Sequence, residues 1–286
     1  MNALEIVKLV LKVSIFLTAL GFGLDAAPRD VFFLFRHPGQ LLRAFLSMNI
    51  IMPVFAIAVA LNFDLSPVIK VTLIAISLSP LPPIFPKKTE KAVGNGSYTI
   101  GLMVAASLLA IIMIPITLTV LEKVFDRPVE IEVQPVIMAV LTTIFAPLLL
   151  GIAIRYLAPA LAEKTTGWVA RIAQILLIAS VLPVLFKMFP VIIQLAGNGT
   201  ILVLVAFVLV GLLAGHLLGG PANEERSVLA LATAARHPAI ALSLASANLP
   251  DHKLVPAAIL LYLVINAIVV LPYIKWMKSR NIQAQV

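Results

Sequence analysis

The chain has 286 residues, 61% of them hydrophobic and 12% charged, with a mean hydropathy of +1.08 and a formal net charge of +8. Soluble domains carry about twice that charged fraction, so the composition is that of a polytopic membrane protein. The absence of cysteine excludes disulfides, thiolate metal sites and haem attachment, and the basic excess reads as cytoplasmic loops, with no nucleic-acid partner expected.

A helix crossing the hydrocarbon needs about 20 mostly apolar residues. Such stretches lie near residues 4–24, 40–61, 67–86, 97–121, 134–157, 168–188, 200–219, 226–248 and 254–274, which predicts nine spans. The first is longer than the apolar region of a signal peptide and is interrupted by Lys8 and Lys12, so it reads as a span. The third ends in SPLPPIFP, where Pro80, Pro82, Pro83 and Pro86 forbid a regular helix. The seventh carries Gly211, Gly215 and Gly219 at the spacing of close helix packing, which also accounts for His216 between them. The eighth contains LATAARHPAIALSLASANL, residues 231–249, broken at Arg236, His237 and Pro238. Asn266 is the one amide in the middle of the ninth span and reads equally as interhelical glue or a ligand contact. His37, in FRHPG, reads as a solvated loop residue.

Broken spans inside a membrane are tolerated only where protein or a water-filled cavity covers the freed backbone. The third and eighth spans are an odd number apart and run in opposite directions. Two inverted halves follow, approximately residues 1–125 and 130–280, the first lacking one helix. Interrupted segments in corresponding places of two halves point to a transporter's binding site. No residue-level identity joins the halves, which correspond by placement alone. With the N-terminus outside, thirteen lysines and arginines fall on the inner side and six on the outer, which favours N-out, C-in.

Every Asp and Glu falls in a predicted loop or at a span end, leaving Arg236 and His237 as the deep ionisable groups. Arginine near a span centre costs roughly 2.5–3.5 kcal/mol on insertion scales, so it marks a functional site by default. The bland alternative is that Arg236 snorkels, or ties carbonyls freed by Pro238. Asn95-Gly-Ser and Asn198-Gly-Thr match glycosylation sequons, the first on the inner side where it has no meaning. There is no P-loop, no catalytic carboxylate pair and no metal-spaced histidine, so no enzyme is expected.

With both broken spans in view, the chain resembles the bile acid:sodium symporter family over nearly its whole length. GFGLDAAPRDVFFLFRHPGQLLRAFLSMNIIMP resembles that family's connection between its first two spans. SPLPPIFPKKTEKAVGNGSYTIGLMVAASLLAIIMIP follows its first crossing helix without a gap, and ALATAARHPAIALSLA follows its second. The resemblance implies one transmembrane transporter domain over residues 1–286. Its fold would be all-α, about nine transmembrane helices in two inverted repeats, with a panel, and a core holding two crossed broken helices.

The departures concern sodium. Where the family places a Ser-Asn pair in the first crossing, this chain has Phe85 and Pro86. Other family ligands align with Thr99, which keeps a hydroxyl, and with Met103 and Met48, which have none. In the second crossing the Glu-x-Gly-x-Gln-Asn pattern becomes Ala232, Thr233, Ala234, Ala235, Arg236 and His237. Sodium is a hard cation that wants several oxygens, and a guanidinium at about 4 Å would repel it by about 4 kcal/mol at an effective dielectric of 20. Arg236 then stands where the ion's charge would have been. Two family substrate contacts align with His237 and Asn266. The candidate substrate-binding set is therefore Arg236, His237, Asn266 and Thr233, with Thr99 as an ion-site remnant and Pro80, Pro82, Pro83, Pro86 and Pro238 as breaks.

The expected function is secondary transport of an organic anion by alternating access, independent of sodium and of any cofactor. The substrate would be a sterol acid or a smaller carboxylate, a wide amphipathic cavity favouring the first and a narrow polar one the second. The setting would be the cell (inner) membrane, with anion and bilayer as partners and no obligate protein partner. The alternatives are a sodium-coupled symporter with a relocated ion site and a non-transporting anion receptor on the same fold.

Overall fold

A computed structural model describes residues 3–82, 84–92, 94–125, 133–249 and 254–283. Among them all regular structure is helical: α1 (Ala3–Asp25), α2 (Pro28–Val31), α3 (Pro38–Phe45), α4 (Met52–Asn62), α5 (Pro67–Leu78), α6 (Phe85–Lys91), α7 (Gly96–Phe125), α8 (Val133–Val140), α9 (Ala146–Leu157), α10 (Pro159–Leu195), α11 (Thr200–Leu218), α12 (Asn223–Ala234), α13 (Pro238–Asn248) and α14 (Val255–Gln283). Two π-helical turns, Leu46–Ile51 and Leu141–Phe145, join α3 to α4 and α8 to α9. Each is followed within two residues by a proline, Pro53 or Pro147, which withdraws one N–H from the regular ladder.

Six helical stretches among the described residues are long and apolar enough to cross a membrane: Pro38–Asn62, Gly96–Val124, Pro159–Leu195, Thr200–Leu218, Asn223–Asn248 and Val255–Arg280. Pro67–Leu78 and Leu141–Leu157 are apolar but shorter. The protein is an all-helical, multi-pass membrane protein. The sixth predicted stretch is longer than residues 168–188: α10 runs 37 residues, through Pro183 and Pro190. At 1.5 Å per residue it is far longer than the hydrocarbon is thick, so it reaches past the membrane or tilts within it.

The break in the third span is shorter than expected. α5 stops at Leu78, Ser79 is extended, and α6 begins at Phe85. Pro86 therefore sits in the first turn of α6, where a missing N–H would have had no partner anyway. Pro238 does the same for α13. Pro80 and Pro82 lie in the link itself. Pro83 falls outside the described residues.

Close packing fixes the frame. α1 lies against α9 and α10, and Ser14 Oγ donates to the Ala173 carbonyl at 2.8 Å. A Cβ at Gly23 would meet the Leu148 carbonyl at 2.2 Å, and one at Gly151 the Leu20 carbonyl at 2.4 Å, so only glycines permit that approach of α1 to α9. On the other side, α11 presents Gly211, Gly215 and Gly219 to Ala234, Ala230 and Arg226 of α12. The opposite face of α11 exposes Leu202, Leu209, Leu213 and Leu217, an apolar stripe of the kind lipid covers. The glycine stripe is thus a packing seam. His216 extends it, with Nδ1 2.9 Å from the Tyr273 hydroxyl and its ring beside Trp276.

Candidate functional site

Prolines decide where the site's polar groups point. A carbonyl at position i in an α-helix normally accepts from the N–H at i+4, so a proline at i+4 leaves it without a donor. Ala234 is four residues before Pro238, and Ser79 is extended beyond the end of α5, where no helical N–H reaches its carbonyl. In the π turn the partner is five residues on, which for Met48 is Pro53. All three carbonyls find side-chain donors. Tyr262 Oη donates to Ala234 at 2.6 Å and Asn266 Nδ2 donates to the same oxygen at 2.8 Å. Arg236 Nη1 donates to Ser79 at 3.3 Å, and its Nη2 to Met48 at 3.2 Å.

The two broken spans meet at this point. The His237 backbone N–H donates to the Pro80 carbonyl at 2.8 Å, so the extended links cross in direct contact. Arg236 is only 3% exposed and does not snorkel. The carbonyls it ties are those of Ser79 and Met48, not the Ala234 carbonyl that Pro238 orphans. Two of its five N–H groups are thereby used, and Nε has no protein partner. His237 is 1% exposed, and neither ring nitrogen has a partner.

Both residues also line a cavity of about 530 Å³ between α1 and α10 on one side and the crossing and α14 on the other. Its walls are mainly Leu, Ile, Val and Pro side chains, among them Leu11, Ile15, Val181, Leu260 and Leu263. Thr18 and Ser180 also line it, but their hydroxyls are bonded to the carbonyls of Ser14 and Leu177 in their own helices. Arg236, His237 and Asn266 supply the remaining polar wall. The size is that of a drug-sized ligand's pocket, apolar with few convergent polar groups.

Two sequence candidates lie elsewhere. Thr233 is fully buried on the far side of α12, 2.5 Å from Ser47 Oγ and bonded to the Leu229 carbonyl, and is not among the cavity's lining residues. Thr99 donates to the Asn95 carbonyl at 2.7 Å and lies 3.2 Å from Thr89 Oγ1, which itself donates to Pro86. Both hydroxyl protons are spent, and Thr99 is likewise not in the lining. Asn95, the first sequon, caps α7 by accepting from the Tyr98 N–H at 2.9 Å. Phe85, Met48, Met103 and Ala232, at the positions aligned with sodium ligands, are all buried apolar side chains.

Tyr262, Ser47 and the Met48 carbonyl were not legible as site groups beforehand. For Tyr262 a signal existed: it precedes Asn266 by one helical turn and therefore shares its face.

The sequence profile of the sodium bile acid symporter family matches residues 12–203, more than half of the chain. The chain belongs to the sodium bile acid symporter family. It is thus a member of a family of membrane transporters of organic anions or bile acids, not of enzymes. The match spans α2 to α10, including the first broken span, and ends before α12. The second broken span, with Arg236, lies beyond it. No curated protein matches the chain.

Proposed function

We propose that this family member is a secondary transporter of an organic anion with an apolar body, driven without sodium, in which Arg236 is the fixed positive charge. One observation carries the reading. Arg236 is held by the carbonyls of both Ser79 and Met48, with Nε left over beside an apolar cavity. Carbonyls orphaned at a helix break are ready ligands for a small cation. Here N–H donors fill them, so the charge that would neutralise an anion is covalently part of the chain. A carboxylate or sulfonate suits the remaining guanidinium N–H groups, and the greasy walls suit a bulky hydrocarbon body such as a sterol acid over a small polar carboxylate.

The same reading places nine spans in two inverted halves, with the N-terminus outside and the C-terminus inside the inner membrane. α1, α9 and α10 would form the panel and the helices around the breaks the core. The cavity between them is where alternating access requires it. Thr233 and Thr99 would then serve the core's own packing.

Uptake into proteoliposomes tests the proposal, with radiolabelled taurocholate and 1-naphthalenesulfonate as probes. Replacing sodium by choline should leave initial rates within about twofold. A steep sodium dependence would contradict it in favour of a relocated ion site. Binding in detergent without any uptake would contradict it in favour of a receptor.

A further inference from the structure

The cavity wall holds a second group that anion binding through Arg236 leaves unused. His237 lies next to Arg236 in the extended link, 1% exposed, with Nδ1 and Nε2 both lacking a protein partner. A buried imidazole normally closes at least one hydrogen bond, so two unpartnered nitrogens on a residue that lines the cavity call for a partner that arrives with the ligand.

Charge counting says which ligand. Among the described residues, neither α1, α10, α13, α14 nor the link before α6 contributes an Asp, Glu, Lys or Tyr to the lining, and Arg236 is the one other titratable group there. Lys12 and Lys187, the nearest cations along α1 and α10 with described side chains, are not in it, and Tyr262 turns its hydroxyl to the Ala234 carbonyl instead. The fixed charge of the cavity is therefore +1, from Arg236. A monoanion neutralises it, and a proton on His237 would then be an unpaired charge in an apolar enclosure. A dianion leaves one negative charge over, and the imidazolium supplies the counter-charge and two donors in place.

Building on the anion-transport reading, we propose that His237 is a proton-coupling site: an organic dianion with an apolar body binds together with one proton, held on His237, whereas a monoanion binds with none. Only a proton moves: an O–H bond of solvent hydronium breaks as the N–H bond forms, and the reverse happens on release. The proton comes from water on the loading side and returns to water when the dianion leaves.

The test uses the full chain in detergent and two probes that do not themselves titrate, 1-naphthalenesulfonate and 1,5-naphthalenedisulfonate. Titration calorimetry in buffers of different ionisation enthalpy counts protons taken up per probe bound. The expected count is about one for the disulfonate and none for the monosulfonate, and His237→Gln should bring the disulfonate count to none. Should that variant not fold, the parent's pH dependence decides. Disulfonate affinity should fall by up to about tenfold per pH unit above neutrality, while monosulfonate affinity stays flat. Equal counts for the two probes, or a disulfonate count unchanged in His237→Gln, would overturn the proton site. The anion reading would survive that result if Arg236→Gln still weakens monosulfonate binding. Failure of both probes to bind would overturn the anion reading and the proton site together.

Discussion

Arg236 donates through Nη2 to the main-chain carbonyl of Met48 at 3.2 Å, across 188 positions of sequence. With the Ser79 contact, one side chain ties the π turn of the second span to the break of the third. Arg236→Ala would leave two buried carbonyls without donors, at about 1–3 kcal/mol each. The variant should unfold in detergent at a clearly lower temperature than the parent. Arg236→Lys should recover part of the loss, because an ammonium cannot fork toward two carbonyls. An unchanged melting temperature for Arg236→Ala would show that the contacts contribute nothing.

Tyr262 and Asn266 share the Ala234 carbonyl, so each insures the other. Tyr262→Phe should cost about 1 kcal/mol, since the amide still satisfies the oxygen. With Asn266→Ala added, the carbonyl is orphaned, and the double variant should lose more than the sum of the two single ones. A double-mutant cycle with zero coupling would refute this sharing.

The α11–α12 seam sets the position of the crossing. A Cβ at Gly215 would lie 2.4 Å from both Ala230 Cα and the Leu229 carbonyl, backbone atoms that cannot turn aside. Gly215→Ala should cost roughly 1–3 kcal/mol or more and, because α12 leads directly into the link that holds Arg236, should weaken anion binding as well. Gly167→Ala, with nothing within 4 Å of the added carbon, should be silent. Equal melting temperatures for the two variants would count against the seam.

The breaks and the deep cation could be read from the sequence because proline chemistry is local: Pro80 and Pro82, clustered in one link, and Pro238, beside a charged pair, each withdraw an N–H from the ladder, although α10 carries Pro183 and Pro190 without ending. The destination of each freed carbonyl could not be read. Met48 and Ser79 meet Arg236 only after spans far apart in the chain have packed, and the π turn that frees Met48 looks in sequence like ordinary apolar helix. The same limit explains Thr233. The cavity lining begins two residues on, at Ala235, whereas Thr233 is still within α12 and points its hydroxyl to Ser47. The predicted sixth stretch begins at residue 168, beyond Glu163 and Lys164, yet α10 starts at Pro159 and continues through both.

At the inner end on the proposed topology, Glu90 in α6 has a pKa raised above its ordinary 4.5, by partial burial first and by the Asp25 carboxylate second, with Lys87 opposing. The sign follows. The folded state holds this proton more tightly than the unfolded chain, so ionised Glu90 destabilises the fold. That penalty is absent below pH 4.5, grows as pH rises toward the raised folded value, and is complete above it. Glu90→Gln should therefore melt higher than the parent at neutral pH, with the gap closing in acid. A gap independent of pH would contradict this.

The most direct test of the account is the affinity of 1-naphthalenesulfonate for Arg236→Gln, measured in sodium-free buffer beside the parent. Glutamine keeps an amide to offer one of the two carbonyls, so the variant can be shown to be folded by its melting curve before binding is read. Loss of the charge-assisted contact should weaken binding by roughly 10-fold to 100-fold, with Arg236→Lys falling between. A folded Arg236→Gln that binds the sulfonate as tightly as the parent would make Arg236 a structural clasp for Ser79 and Met48, and its role as the carrier's built-in cation would be wrong.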